Sequence, residues 1–142
     1  LNFKLNSMPY TLCYVSSAKN SLSNLDLEHL FRVNKRNNTD LNITGVLVYN
    51  YGNFLQILEG DKQEITMLFS KISQDPRHSN IIKLIDTTIE ERIFDGYNSG
   101  FVIVENSKTL NQLEKYLKWI REAELKTVDK IINIVENFIA KK

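Results

Sequence analysis

Tyr14 and Gln56 are polar interruptions in two short apolar runs, Tyr10–Ser16 (YTLCYVS) and Phe54–Gly60 (FLQILEG). As strands, both runs send alternate side chains to opposite faces. Phe54, Gln56 and Leu58 then share one face, as do Leu12, Tyr14 and Ser16 on the other strand. A glutamine turned into an apolar layer needs a partner, because a buried amide without one costs on the order of 1–3 kcal/mol. If the strands are neighbours, the Tyr14 hydroxyl meets the Gln56 amide, which donates and accepts at once. Spacing alone leaves two readings open: an ordinary core hydrogen bond, or a pair kept for chemistry.

Other chemistries find less support. The two histidines, His29 and His78, are far apart, and neither has a carboxylate pair at ligand spacing, so no metal site is expected. His29 reads as a surface residue of a helix. No G-x-G-x-x-G or G-x-x-x-x-G-K-S/T loop is present to cradle a phosphate, and no Ser or Cys sits in a nucleophile elbow. The single cysteine, Cys13, reads as a small buried hydrophobe and excludes a disulfide framework. The N-x-S/T triplets at Asn37 and Asn42 are chance matches where no signal peptide is visible.

The elements that must hold the pair follow from periodicity. Tyr10–Ser16 is a first strand, and Leu27, Leu30, Phe31 and Asn34 recur at helical spacing over about residues 25–37. Ile43–Tyr51 and Phe54–Glu59 form a hairpin about Gly52–Asn53. Asp61 and Glu64 form a capping-box pattern for a second helix, which buries Ile65, Leu68, Phe69 and Ile72 and closes at Asp75–Pro76. Asn80–Glu91 and Gly100–Glu105 are the fourth and fifth strands. The order β-α-β-β-α-β-β predicts an α+β, ferredoxin-like sheet with one extra strand and two helices on one face. Two helices close the chain, over about 109–122 with Thr109 and Gln112 as its capping box, and over about 127–140. The stripe from Val128 to Ile139 either mediates self-association, making the protein a homo-oligomer, or docks a partner, or else covers the open face of the sheet.

The 142 residues suit one domain. Eighteen basic and 17 acidic side chains leave a net charge of +1, without the basic excess a nucleic-acid binder uses. No apolar run approaches the roughly 18 residues needed to span a bilayer. Residues 1–7 read as a leader or cloning remnant, 8–105 as the folded domain and 106–142 as a C-terminal helical extension. A cytoplasmic protein is expected, with no nucleic-acid or membrane partner.

Four segments together resemble the BLUF family, blue-light sensors that use a flavin. They are Leu12–Ser17 (LCYVSS), Arg36–Asn38 (RNN), Asn42–Leu47 (NITGVL) and Phe54–Gly60 (FLQILEG). A fifth, Gln74–His78 (QDPRH), follows at the expected distance. The resemblance covers about Met8 to Glu105, and the two strands x-I-T-G-x-L and F-L-Q-x-L-E-G are its most specific part. The closing helices look like the tail of short members without a fused output domain.

The resemblance implies FAD as cofactor, with FMN the alternative, its ring lying between the two sheet-flanking helices. It makes Tyr14 the photo-oxidisable tyrosine and Gln56 the glutamine that relays a proton and then rearranges. It gives Asn38 the polar edge of the ring, with Asn37 beside it, and gives Leu30 and Ile72 the ring faces. Asp75, Arg77 and His78 correspond to residues near the ribityl chain and phosphate. The signal is then a changed hydrogen-bond pattern passed to a downstream signalling protein, and since no substrate bond is broken the domain is not an enzyme.

One stretch departs from the family. The usual tryptophan and methionine, two residues apart near the fifth strand, are replaced by Tyr97 and Ser99; the only tryptophan, Trp119, lies in the tail. Tyr97 and Ser99 become the candidates for the signal route, and Tyr97 a second candidate electron donor. Two other functions suit the same fold. An acylphosphatase-like hydrolase needs a phosphate loop with an Arg after the first strand, where Ser17-Ala18-Lys19 stands instead. A non-photoactive interaction module would keep the fold and bind no flavin.

Overall fold

The computed structural model describes residues 8–97, 100–122 and 128–140. Its elements are β1 (Tyr10–Ala18), α1 (Asn24–Asp40), β2 (Thr44–Asn50), β3 (Asn53–Gly60), α2 (Lys62–Ser73), β4 (His78–Thr88), β5 (Phe101–Val104), α3 (Ser107–Glu122) and α4 (Val128–Ala140). The strands form one sheet in the order β4-β1-β3-β2-β5, antiparallel throughout except for the parallel β2–β5 pair. This is the expected α+β, ferredoxin-like order with an added fifth strand. The expected leader, residues 1–7, and Ser99 lie outside the described residues.

Alternation along the strands sorts the core into two layers. On one face Leu12, Tyr14, Leu47, Phe54 and Leu58 pack with Leu30 and Phe31 of α1 and Ile65 of α2. On the other, Cys13, Val46, Val48, Leu55 and Ile57 pack with Leu113 and Leu117 of α3 and Ile131, Ile132 and Val135 of α4. The apolar stripe of α4 is therefore taken up within the chain, as the cover of the second face. Leu117→Ala should lower stability by about 2–5 kcal/mol, the usual cost of such a cavity. Urea unfolding checks this, and the loss should not depend on protein concentration.

Local chemistry moves three boundaries. The β2–β3 turn is Tyr51–Gly52, one residue earlier than expected, and both residues have positive φ (50° and 78°). A two-residue hairpin loop whose twist matches the strands requires that, so Asn53 is left to open β3. The α3 cap is Asn106, whose Oδ1 accepts from the Thr109 N–H at 3.0 Å, while the Thr109 hydroxyl accepts from the Asn106 N–H at 3.3 Å. The reciprocal box thus sits three residues earlier than the Thr109–Gln112 pair. β4 begins at His78 rather than at Asn80. Gly45 is irreplaceable on steric grounds: its φ is +146°, and a Cβ there would collide with the Ile57 carbonyl oxygen.

Candidate functional site

The register of β1 on β3 sets Tyr14 opposite Gln56. Both side chains turn to the α1–α2 face, and Gln56 Nε2 donates to the Tyr14 hydroxyl at 2.6 Å. The β1–β4 register shifts between Cys13 and Tyr14, an irregularity of the kind that re-aims a side chain beside a site. Burial pushes the Tyr14 phenol above its ordinary pKa, against the pull of the Gln56 amide, so it holds its proton at neutral pH. Cys13 faces the other way, its thiol pushed up to about 12 by burial, and is inert.

A cavity of about 210 Å³ opens over this pair, between the helices. Tyr14, Leu47, Phe54 and Gln56 form its floor, Leu30, Val33, Asn34 and Asn37 of α1 one wall, and Leu68, Lys71 and Ile72 of α2 the other. Asp75, Arg77 and His78 line its mouth. The Asp75 carboxylate, held below the usual range chiefly by the Arg77 guanidinium, accepts from Arg77 Nε at 3.0 Å and fixes the arginine's plane. His78 Nε2 faces the Ile72 carbonyl oxygen at 2.7 Å and so carries the ring proton. Its Nδ1 then accepts from the Ser16 hydroxyl at 2.8 Å, which ties α2, β4 and β1 together at the cavity rim.

Four buried polar atoms have no partner among the described residues: the Tyr97 hydroxyl in the core of the opposite face and, on the α1–α2 side, both amide atoms of Asn38 and Gln56 Oε1. Asn38 is wholly buried, in the last turn of α1 next to Asn37. An amide left unpaired in a core costs on the order of 1–3 kcal/mol, and three such atoms on the α1–α2 side are a strong sign of an external partner. The donors and acceptors on offer suit a planar heterocycle with carbonyl and N–H groups along one edge. The apolar side chains of Leu30 and Ile72 suit its faces. The residues present fit a flavin.

Tyr97 lies elsewhere. It packs in the core of the opposite face, with its ring centroid 4.4 Å from that of Tyr116 on α3 and 6.4 Å from that of Phe94. The structure does not bring it to the Tyr14–Gln56 pair, so its expected rivalry as an electron donor has no geometric basis.

Sequence reasoning missed Glu59. Its carboxylate is completely buried, accepting from the Thr44 hydroxyl (2.8 Å) and from the N–H groups of Ile93 (2.7 Å) and Phe94 (3.0 Å). Burial pushes its pKa up, and these donors pull it back. Tyr116 in turn donates to the Ile93 carbonyl at 2.6 Å. The loop after β4 is thus clasped between the strand that carries Gln56 and the first tail helix. The signal for it was the one that exposed Gln56, a polar side chain inside the same apolar run. Glu59→Gln swaps one acceptor oxygen for a donor facing a backbone N–H, and should cost about 1–3 kcal/mol in urea unfolding.

Comparison with known proteins agrees with this geometry. The profile of the BLUF family, "Sensors of blue-light using FAD", matches residues 10–100. A photoactivated adenylate cyclase subunit beta of Euglena longa is 43% identical over 84 residues, which are 59% of this chain and 10% of that protein. The chain thus spans about a tenth of the length of such curated relatives. Among solved structures, the one described as "BlrP1 BLUF" superposes with a TM-score of 0.76 at 28% identity, over 94% of this chain and 91% of that one. Klebsiella pneumoniae BlrP1 with FMN and cyclic diGMP superposes with a TM-score of 0.67 at 28% identity, over 89% of this chain and 35% of that one. With a cavity suited to a flavin and a family match over more than half its length, this chain belongs to the BLUF family of blue-light sensors.

Proposed function

We propose that this chain is a blue-light receptor that binds a flavin, FAD by preference, and reports illumination through the Tyr14–Gln56 hydrogen bond. The observation that carries the reading is the set of buried amide atoms without a partner, both of Asn38 and Oε1 of Gln56, on the side of the sheet where Tyr14 lines the cavity. A flavin, when bound, supplies blue-light absorption and a strongly oxidising excited state. Asn38 and Asn37 hold the polar edge, and Leu30 and Ile72 clamp the ring. Arg77, oriented by Asp75, and His78 flank the side chain and phosphate at the mouth.

Tyr14 supplies an electron and its phenolic proton, and its high pKa keeps that proton in place until the electron leaves. Gln56 has its N–H on Tyr14 and its Oε1 without a partner, so the amide must first turn to set Oε1 on the hydroxyl. It can then take the phenolic proton and settle afterwards with donor and acceptor exchanged. The new pattern acts on β3, and Glu59 on the same strand holds the loop that reaches Tyr97 and Tyr116. From there the change reaches the tail helices and a downstream signalling protein. Ser99 is kept as a second candidate on this route.

Titrating the flavin-free chain with FAD tests the reading. Tight uptake with strongly quenched flavin fluorescence is expected, because Tyr14 lines the cavity. A chain that takes up no flavin would overturn it.

A further inference from the structure

We propose that the side of β4 turned toward α4 is an interface between two copies of this chain, related by a two-fold axis. The proposal goes beyond the light-sensing reading and does not rest on it. A cavity of about 460 Å³ lies there, on the face of the sheet away from Tyr14 and Gln56. Val15 of β1 and Ile134 and Phe138 of α4 line it and are half-buried. Ile82 and Leu84 of β4 line it too, and they are 57% and 38% exposed. The cover that α3 and α4 give this face thus leaves the β4 side chains out.

The register explains why they stand out. Cys13 faces Ile85 and Tyr14 faces Lys83, so Leu84 is an extra residue in β4. Val15 faces Ile82 and Ser17 faces Ser79, which leaves Asn80 and Ile81 together opposite Ser16. Asn80 takes up that second irregularity with φ at +55°. β4 is an edge strand, and two bulges in an edge kink it and blunt its pairing with a strand of another chain. An association here uses the face of the strand and not its edge, so it closes instead of extending the sheet.

The chemistry of the patch points to a second copy as its occupant. A quarter of the chain is charged, yet no charged residue lines the cavity. Its polar border is Ser17, Asn53, Asn80 and Asn137. An uncharged patch meets its own copy without like-charge repulsion, and it offers a strongly charged protein nothing to pair with. A two-fold interface must also carry both halves of every contact on one surface. Here the exposed Ile82 and Leu84 stand beside the hollow that Val15, Ile134 and Phe138 line, so each copy offers a ridge and receives one. The patch is small, which sets the dissociation constant at about 100 µM. In dilute solution the monomer prevails, and the unfolding expected for Leu117→Ala stays independent of concentration.

Sedimentation equilibrium of the full chain, from about 10 µM to 1 mM, tests the proposal. The wild type should pass from monomer to dimer and stop there. Ile82→Lys changes an exposed residue, so urea unfolding should show the fold intact. It should remain monomeric over the range, a loss of about tenfold or more, because a charge would be buried in an apolar hollow. Asn137→Glu should do the same from the other side of the contact. In an equimolar mixture of the two variants the new cation of one copy meets the new carboxylate of the other, and dimers should reappear. A wild type that stays monomeric would leave the face to another occupant and overturn the proposal. So would assembly beyond the dimer, dimers that both variants leave unchanged, or a mixture that stays monomeric.

Discussion

Tyr14→Phe is expected to abolish the light-driven spectral change while leaving the fold and the bound flavin in place. The change removes one hydroxyl and almost no volume from a residue packed among Leu12, Phe54 and Phe69. Its structural cost is the hydrogen bond from Gln56, whose amide then loses its only acceptor among the described residues. That places the stability loss at about 1–3 kcal/mol. The functional loss is of another order. The mutant has no oxidisable phenol in the cavity wall, and Tyr97 sits in the core of the opposite face. Flavin fluorescence should therefore last longer, and the red shift under blue light should vanish. A photocycle that survives in Tyr14→Phe would remove Tyr14 from the mechanism.

Asn38→Leu should act in opposite directions on the free and the flavin-loaded protein. In the flavin-free chain both Asn38 amide atoms are buried without a partner, so an apolar side chain of similar shape relieves a desolvation cost. The free chain should gain about 1–3 kcal/mol in urea unfolding. Flavin affinity should fall by about tenfold or more, because the edge of the ring loses both of its amide contacts. A ligand-dependent sign separates a binding residue from a core residue, since loss of a merely structural amide would destabilise both forms. Loss of stability in the free chain would show that Asn38 has a partner within the protein.

The fold was legible where local chemistry decides it. Alternation in FLQILEG put Gln56 on the Tyr14 face before any pairing was known, and the register confirmed the contact. The α2 cap at Asp61 is legible, since its carboxylate accepts from the Glu64 N–H at 3.2 Å, although the return bond from the Glu64 side chain that a full capping box needs is not among the hydrogen bonds of the described residues. The hairpin shifted by one residue because turn geometry depends on φ at Tyr51, which no propensity reports. The destination of the α4 stripe was open because an amphipathic helix shows that it buries a face and not against what. The role of Glu59 escaped because it depends on a loop distant in sequence, through the N–H groups of Ile93 and Phe94, meeting the carboxylate in space.

The central claim is that the Tyr14–Gln56 pair rearranges under blue light beside a bound flavin. The most direct measurement is the light-minus-dark absorption spectrum of the flavin-loaded wild-type chain, with Gln56→Leu alongside. A small red shift that reverses in the dark is predicted for the wild type, and no lasting shift for Gln56→Leu, which keeps the shape and loses both amide functions. A wild-type spectrum unchanged by blue light, or a full photocycle in Gln56→Leu, would contradict it.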